Sequence, residues 1–155
     1  MKFIRRTTTL ETIIVLFVIL FLYTGISKLI DYPVFKEQIA MSPILAPIAH
    51  LVAATLPWLE FVIVLLLIIP RLRLKGLYAS LGLMTVFTVY ILAMLTFNKD
   101  IPCSCGGVIE LLSWHQHIAF NAVFIVLAGA GCWLEKGNLQ DNQRRLAAIL
   151  ETAVR

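Results

Sequence analysis

Charge is what this sequence has least of. Only 22 of its 155 residues are charged, 13 basic and 9 acidic, which is 14% of the chain; soluble domains carry about a quarter. With 60% hydrophobic residues and a mean hydropathy of +0.90, the chain is read as an integral membrane protein. Other absences narrow the function. There is no internal repeat, no phosphate-binding glycine loop and no Ser/His/Asp arrangement with a scaffold to hold it. No discontinuous or repeated spans support a small transporter. No folded basic domain exists to carry nucleic-acid binding, although the pI is about 9.2. Cysteine is scarce, with three in the chain, so its placement matters.

The apolar residues fall into four segments long enough to cross a bilayer as helices, about 20 residues each: residues 10–29, 48–69, 74–97 and 114–134. The expected fold is all-α, a four-transmembrane-helix bundle occupying residues 1–134. A cytoplasmic tail, 135–155, is expected to form a short amphipathic helix on the inner membrane surface, with Leu139, Leu146, Ile149 and Leu150 at helical spacing, the alternative being a partly disordered, solvated tail. The basic start and first apolar run resemble a signal peptide. That run is long, however, and continues to Lys28 without a small-x-small cleavage site, so it is read as a retained span. Thr8 and Glu11 have the spacing of a capping box that would start the first helix, and Ser113 and Gln116 repeat that spacing before the fourth.

Orientation follows from the basic residues. Ten of the thirteen precede the first span, separate the second from the third, or follow the fourth; only Lys28, Lys36 and Lys99 lie in the other two connections. The positive-inside rule then makes both termini cytoplasmic and turns the first and third connections outward. The reading is a multi-pass protein of the bacterial inner membrane.

The outward third connection contains Cys103-Ser104-Cys105-Gly106-Gly107, closely followed by His115 and His117. An oxidising compartment makes thiol chemistry available there. A disulfide closed across one intervening residue is a tight ring, and strained, exposed disulfides are exchange-prone. It would add little stability, because that benefit grows with loop length. Two unrelated surface thiols remain an alternative. So does a zinc site, although its usual cysteine spacing is wider and the two histidines are the only further ligands at hand. Redox exchange fits best: Cys103 or Cys105 attacks, the other resolves, and His115 or His117 lowers a thiol pKa or passes protons. The bland reading of the histidines is interfacial polar residues beside Trp114. Cys132, a membrane thickness away, is read as a packing residue.

Within the spans, polar groups are costly and therefore informative. Glu60 falls near the middle of the second span, one turn after Pro57. It is either a structural polar link or a proton or quinone site. Lys28 can reach it only if Glu60 lies higher than its index indicates; a neutral Glu60 bonded to Tyr90, Thr88 or His117 is the other arrangement. His117 and Asn121 share a helix face that continues through Phe124 and Ala128. They either bond a neighbouring helix or line a small cavity for a redox carrier. Gly25, Ser27, Gly76, Ala79, Ser80 and Gly82 offer small surfaces for close helix contact.

Taken together, Gly25-x-x-Lys28, Pro57-x-x-Glu60 and the Cys103-Ser104-Cys105-Gly106-Gly107 loop followed by Ser113-Trp114 resemble the MauE branch of the DoxX-like membrane proteins, over roughly residues 8–134. The resemblance implies a redox-associated membrane protein. The family's namesake is required to mature methylamine dehydrogenase, whose small subunit carries many disulfides, and works beside a periplasmic thioredoxin-like protein. A relative is a subunit of a thiosulfate:quinone oxidoreductase, and the plan is distantly similar to quinone-linked enzymes of the vitamin K epoxide reductase family. Those enzymes use Cys-x-x-Cys and a second pair, whereas this chain has Cys-x-Cys and no second outward pair. A separate thiol partner, thioredoxin-like or a disulfide-containing exported protein, would supply the rest. The expected function is thiol-disulfide exchange, with Cys103, Cys105, His115, His117 and Glu60 as catalytic residues and with Glu60, Asn121 and Lys28 contacting a carrier such as a quinone. The alternative is a non-catalytic membrane subunit or chaperone that docks a periplasmic or outer-membrane assembly.

Overall fold

A computed structural model describes residues 2–42, 44–97 and 114–154. Five α-helices account for nearly all of them: α1 (Lys2–Ile30), α2 (Tyr32–Ala40), α3 (Ala49–Ile68), α4 (Arg73–Phe97) and α5 (Trp114–Val154), with one 3-10 turn at Ala46–Ile48. Four of these helices are long and apolar enough to cross a membrane. They make an all-helical, multi-pass bundle. The 98–113 connection, which holds Cys103, Cys105 and Ser113, lies outside the described residues.

α3 and α4 begin and end within a residue of the apolar runs that predict them. The other two long helices overrun their apolar segments. α1 starts at Lys2, so Thr8 lies inside the helix and accepts a bond at its carbonyl from the Thr12 hydroxyl, 3.0 Å. The expected capping box is therefore not formed. Glu11 instead makes a two-pronged ion pair with Arg73 at the start of α4, 2.5 and 3.2 Å. α5 likewise continues unbroken to Val154, so the tail is helical as expected but continuous with the fourth span. Hydropathy stops at the first charges; helix propensity does not, because Lys, Arg, Glu and Gln are good helix formers.

The core lies between the four long helices. Phe17 and Phe21 of α1 are fully enclosed, and Phe124 of α5 meets the Phe17 ring edge-on at 5.2 Å. Ile63 and Leu67 of α3, Leu77 and Met84 of α4, and Ala128 and Cys132 of α5 complete it. Cys132 is thus a buried packing residue. The faces turned away are apolar as well, with Val15, Ile19, Leu65, Val89 and Val126 exposed, as a helix in contact with lipid requires.

Glycines set how closely the helices approach. A Cβ on Gly76 would stand 2.9 Å from the backbone nitrogen of Leu67, so α3 and α4 touch backbone to backbone beside their connecting turn. A Cβ on Gly131 would stand 3.0 Å from the Leu77 side chain, so α5 packs closely on α4 there. Gly82 faces open space and makes no such contact.

The feature least visible in the sequence is α2. Pro33 cannot donate the backbone bond that α1 would need to continue, so the chain breaks at Asp31 and restarts at once. Phe35 and Ile39 then pack on Ala49 and Ala53, at the start of α3. Ser42 closes the segment: its hydroxyl donates to Met94 Sδ at 3.4 Å and accepts from the Ile44 and Leu45 amides, both at 3.3 Å.

Replacing Gly76 by Val is expected to cost about 1–3 kcal/mol through overpacking against backbone, whereas Gly82→Ala is expected to be neutral or slightly stabilising. Thermal denaturation of the two variants in the same detergent checks this; equal losses would contradict the close approach at Gly76.

Candidate functional site

Lys28 and Glu60 meet in the middle of the bundle. The ammonium Nζ donates to Glu60 Oε1 at 2.7 Å, with the two side chains 4% and 1% exposed. The ring faces of Phe35 and Phe87 flank the ammonium at 5.7 and 5.9 Å. Lys28 therefore does not extend to the interface. Nor does Glu60 bond Thr88, whose hydroxyl is used locally on the Met84 carbonyl at 2.8 Å.

The pair forms because the helices are staggered. Glu60 lies eleven residues into α3, about 16 Å below that helix's start at a rise of 1.5 Å per residue. Lys28 is two residues from the end of α1. The end of α1 is thus sunk beside the midpoint of α3, and α2 occupies the space above it. Small residues allow the approach: a Cβ on Gly25 would lie 3.0 Å from the Phe61 ring and 3.3 Å from Glu60 Oε2. Pro57 lies inside α3 without ending it, and its missing N–H deprives the Ala53 carbonyl of its helical donor.

Around this pair is a cavity of about 690 Å³, a size ordinary for small-molecule sites. Its walls are mostly apolar, from Phe21, Ile39, Leu56, Met84, Phe87 and Phe120. Its polar residues are Thr24, Lys28, Gln38, Thr55, Glu60, Tyr90, His117 and Asn121. His117 and Asn121 are both buried, 4% and 3% exposed, and line the cavity from one face of α5. Both side chains therefore face the cavity that their shared helix face offered as one arrangement. Two polar atoms of lining residues are buried and have no hydrogen-bond partner: Glu60 Oε2 and Asn121 Nδ2.

Lys28, Glu60, His117 and Asn121 are thus brought to one cavity. Cys103 and Cys105 lie outside the described residues, as does the side chain of His115, whose backbone is in the first turn of α5. Among the described residues no three His, Cys, Asp or Glu side chains converge on a metal position. Sequence reasoning missed Thr24, Gln38 and the two aromatic rings over Lys28. Their signal was weak: Phe35 and Gln38 sit on a nine-residue helix too short for hydropathy to register.

A family model described as Methylamine utilisation protein MauE matches the chain over residues 6–134. The chain belongs to the MauE family. The match covers all four spans and stops where the 135–154 extension of α5 begins. Neither curated proteins nor solved structures give a match. In this MauE-family chain the matched region contains the ion pair, the cavity and the cysteine loop together.

Removing one member of a buried ion pair strands the other, at a cost of about 3–5 kcal/mol. Lys28→Met and Glu60→Gln are each expected to destabilise by that much, while Lys28→Met combined with Glu60→Leu recovers most of the loss. Unfolding free energies of the three proteins in one detergent check this; additive losses in the double variant would mean that the pair is not coupled.

Proposed function

We propose that this chain is a membrane-embedded thiol-disulfide exchange protein acting on a periplasmic thioredoxin-like partner or a disulfide-containing exported protein, in the maturation of exported proteins. The family description places its relatives in methylamine utilisation, a setting that supports this reading. The observation that carries it is Cys103-Ser104-Cys105-Gly106-Gly107 between α4 and α5, at the opposite end of the bundle from ten of the thirteen basic residues. That asymmetry turns the loop outward from the bacterial inner membrane and leaves both termini in the cytoplasm. Gly106 and Gly107 follow the cysteines directly in sequence, and glycine gives a backbone freedom to turn.

The exchange balances without any further reactant. A thiolate of Cys103 or Cys105 attacks one sulfur of the partner's disulfide, forming a mixed disulfide and releasing the partner's other sulfur as a thiolate. The second cysteine, as thiolate, then attacks the first. The partner leaves with both sulfurs reduced, and this chain's pair is oxidised by two electrons. Run backward, the same steps oxidise the partner. The start of α5 contributes the positive end of a helix dipole, which favours a nearby thiolate. His115 and His117 are the proton-transfer groups. Glu60, Asn121 and Lys28 are the intramembrane carrier contacts, and a quinone bound there would supply a sink for two electrons and two protons.

Cys103→Ser and Cys105→Ser, each in a Cys132→Ser background, are expected to abolish exchange while the protein still inserts, and one of the two to trap a mixed disulfide with its partner. Acid quenching and alkylation of intact membranes, followed by non-reducing gels, reads this directly. If both cysteines stay reduced and unpartnered in the parent protein and the serine variants retain function, the chain is instead a docking subunit or chaperone.

A further inference from the structure

The cavity at Lys28 and Glu60 has a side facing the lipid. On α3 its rim is Thr55, Trp58, Leu59 and Val62, and on α4 it is Val86, all of them exposed as well as cavity-lining. Trp58 and Val86 are each 63% exposed. α3 and α4 meet backbone to backbone beside their connecting turn, at Gly76 and Leu67. At the other end, the cavity is walled by Phe35, Gln38 and Ile39 of α2. These surfaces place the opening in the bilayer core, so what fills the cavity arrives dissolved in lipid.

The polar lining restricts the head group. Among the described residues, Lys28 and Glu60 are the only Lys, Arg, Asp or Glu side chains lining the cavity, and they neutralise each other at 2.7 Å. A charged head would therefore have no counter-charge in a place where an unpaired charge is most costly. The lining residues hold one buried donor without an acceptor, Asn121 Nδ2, and one buried acceptor, Glu60 Oε2, that makes no hydrogen bond of ordinary geometry although the Thr24 hydroxyl is near that carboxylate. Asn121 is 3% exposed and Glu60 is fully enclosed. A head group that both accepts and donates would satisfy the two at once.

From this geometry we infer that the cavity is loaded sideways from the bilayer, between α3 and α4, by an uncharged amphiphile with an apolar tail. Its head is held between the Asn121 amide and the Glu60 carboxylate. A quinol has this chemistry, with hydroxyls that accept from Asn121 and donate to Glu60; the oxidised quinone keeps the Asn121 bond and loses the other. The inference deepens the exchange reading by naming the class of carrier and its route, yet it rests on residues other than the cysteines. Trp58 at the rim and Asn121 within thus divide the work into access and recognition.

The test uses the full chain in lipid nanodiscs, with Trp114→Phe and Trp133→Phe leaving Trp58 as the only indole and with Cys103→Ser and Cys105→Ser present. Decyl-benzoquinol, decyl-benzoquinone and decanoic acid are the probes, read by quenching of Trp58 and, for the colourless acid, by its competition against the quinone. Saturable binding of both neutral probes, tighter for the quinol, with no competition by the acid, is the expected result. Asn121→Leu should weaken both neutral probes by about three- to tenfold, the loss of one neutral hydrogen bond. Val86→Phe, a bulkier side chain at the exposed rim that adds no second indole, should slow association at least several-fold. Quenching that never saturates, or equal competition by the acid, would overturn the site; an unchanged association rate with Val86→Phe would overturn the sideways route. Because the cysteines are absent, binding that persists here stands even if thiol exchange fails its own test.

Discussion

The buried ion pair between Lys28 and Glu60 is the constraint around which the rest of the molecule is arranged. Two opposite charges 2.7 Å apart and almost wholly enclosed are tolerable in an apolar medium only while they remain together. To bring them together, α1 must end at mid-depth beside α3. That leaves space above the end of α1, and the chain fills it with α2 and the Ala46–Ile48 turn. Gly25, Phe61, Phe35 and Phe87 take up positions that the pair dictates, either yielding room or facing the ammonium with their rings. The cavity is a consequence of the same stagger, because helices that do not end at one level leave volume between them.

A second, weaker pair ties the basic end. Arg73 and Glu11 join the start of α4 to α1, but the Glu11 side chain is 44% exposed, and exposed pairs contribute little, up to about 1 kcal/mol. The buried pair, unlike this one, lines the cavity. It presents a net-neutral polar surface inside an apolar cavity, and it sits beside His117 and Asn121, which descend from the helix that follows the cysteine loop. Exchange at the loop and carrier binding in the cavity would then share α5 as a physical connection.

What could be read from sequence follows from which physical signals are local. The ends of α3 and α4 were legible because proline and charge coincide with the limits of their apolar runs. The Lys28–Glu60 pair was weighed and its obstacle correctly named, namely that Glu60 would have to lie higher than its index places it. The obstacle vanished because it assumed that all spans end at the same depth. Depth is a relation between helices, and residue counting within one helix does not contain it. The capping box at Thr8 failed for a related reason: its spacing was real, but helix-forming residues upstream gave the helix no cause to begin there.

Sequence alone determined the membrane environment, the number of spans, the distribution of basic residues between the two ends and the isolation of Cys103-Ser104-Cys105 in a single connection. Each of these follows from composition or from the order of residues along the chain, and needs no knowledge of neighbours. Only the tertiary structure decided that Lys28 is internal, that α2 walls the bundle, and that residues as distant as Thr24, Glu60, Tyr90 and Asn121 line one cavity. Burial of a charge is settled by the partner it finds, and the partner of Lys28 is 32 residues away, beyond any local pattern.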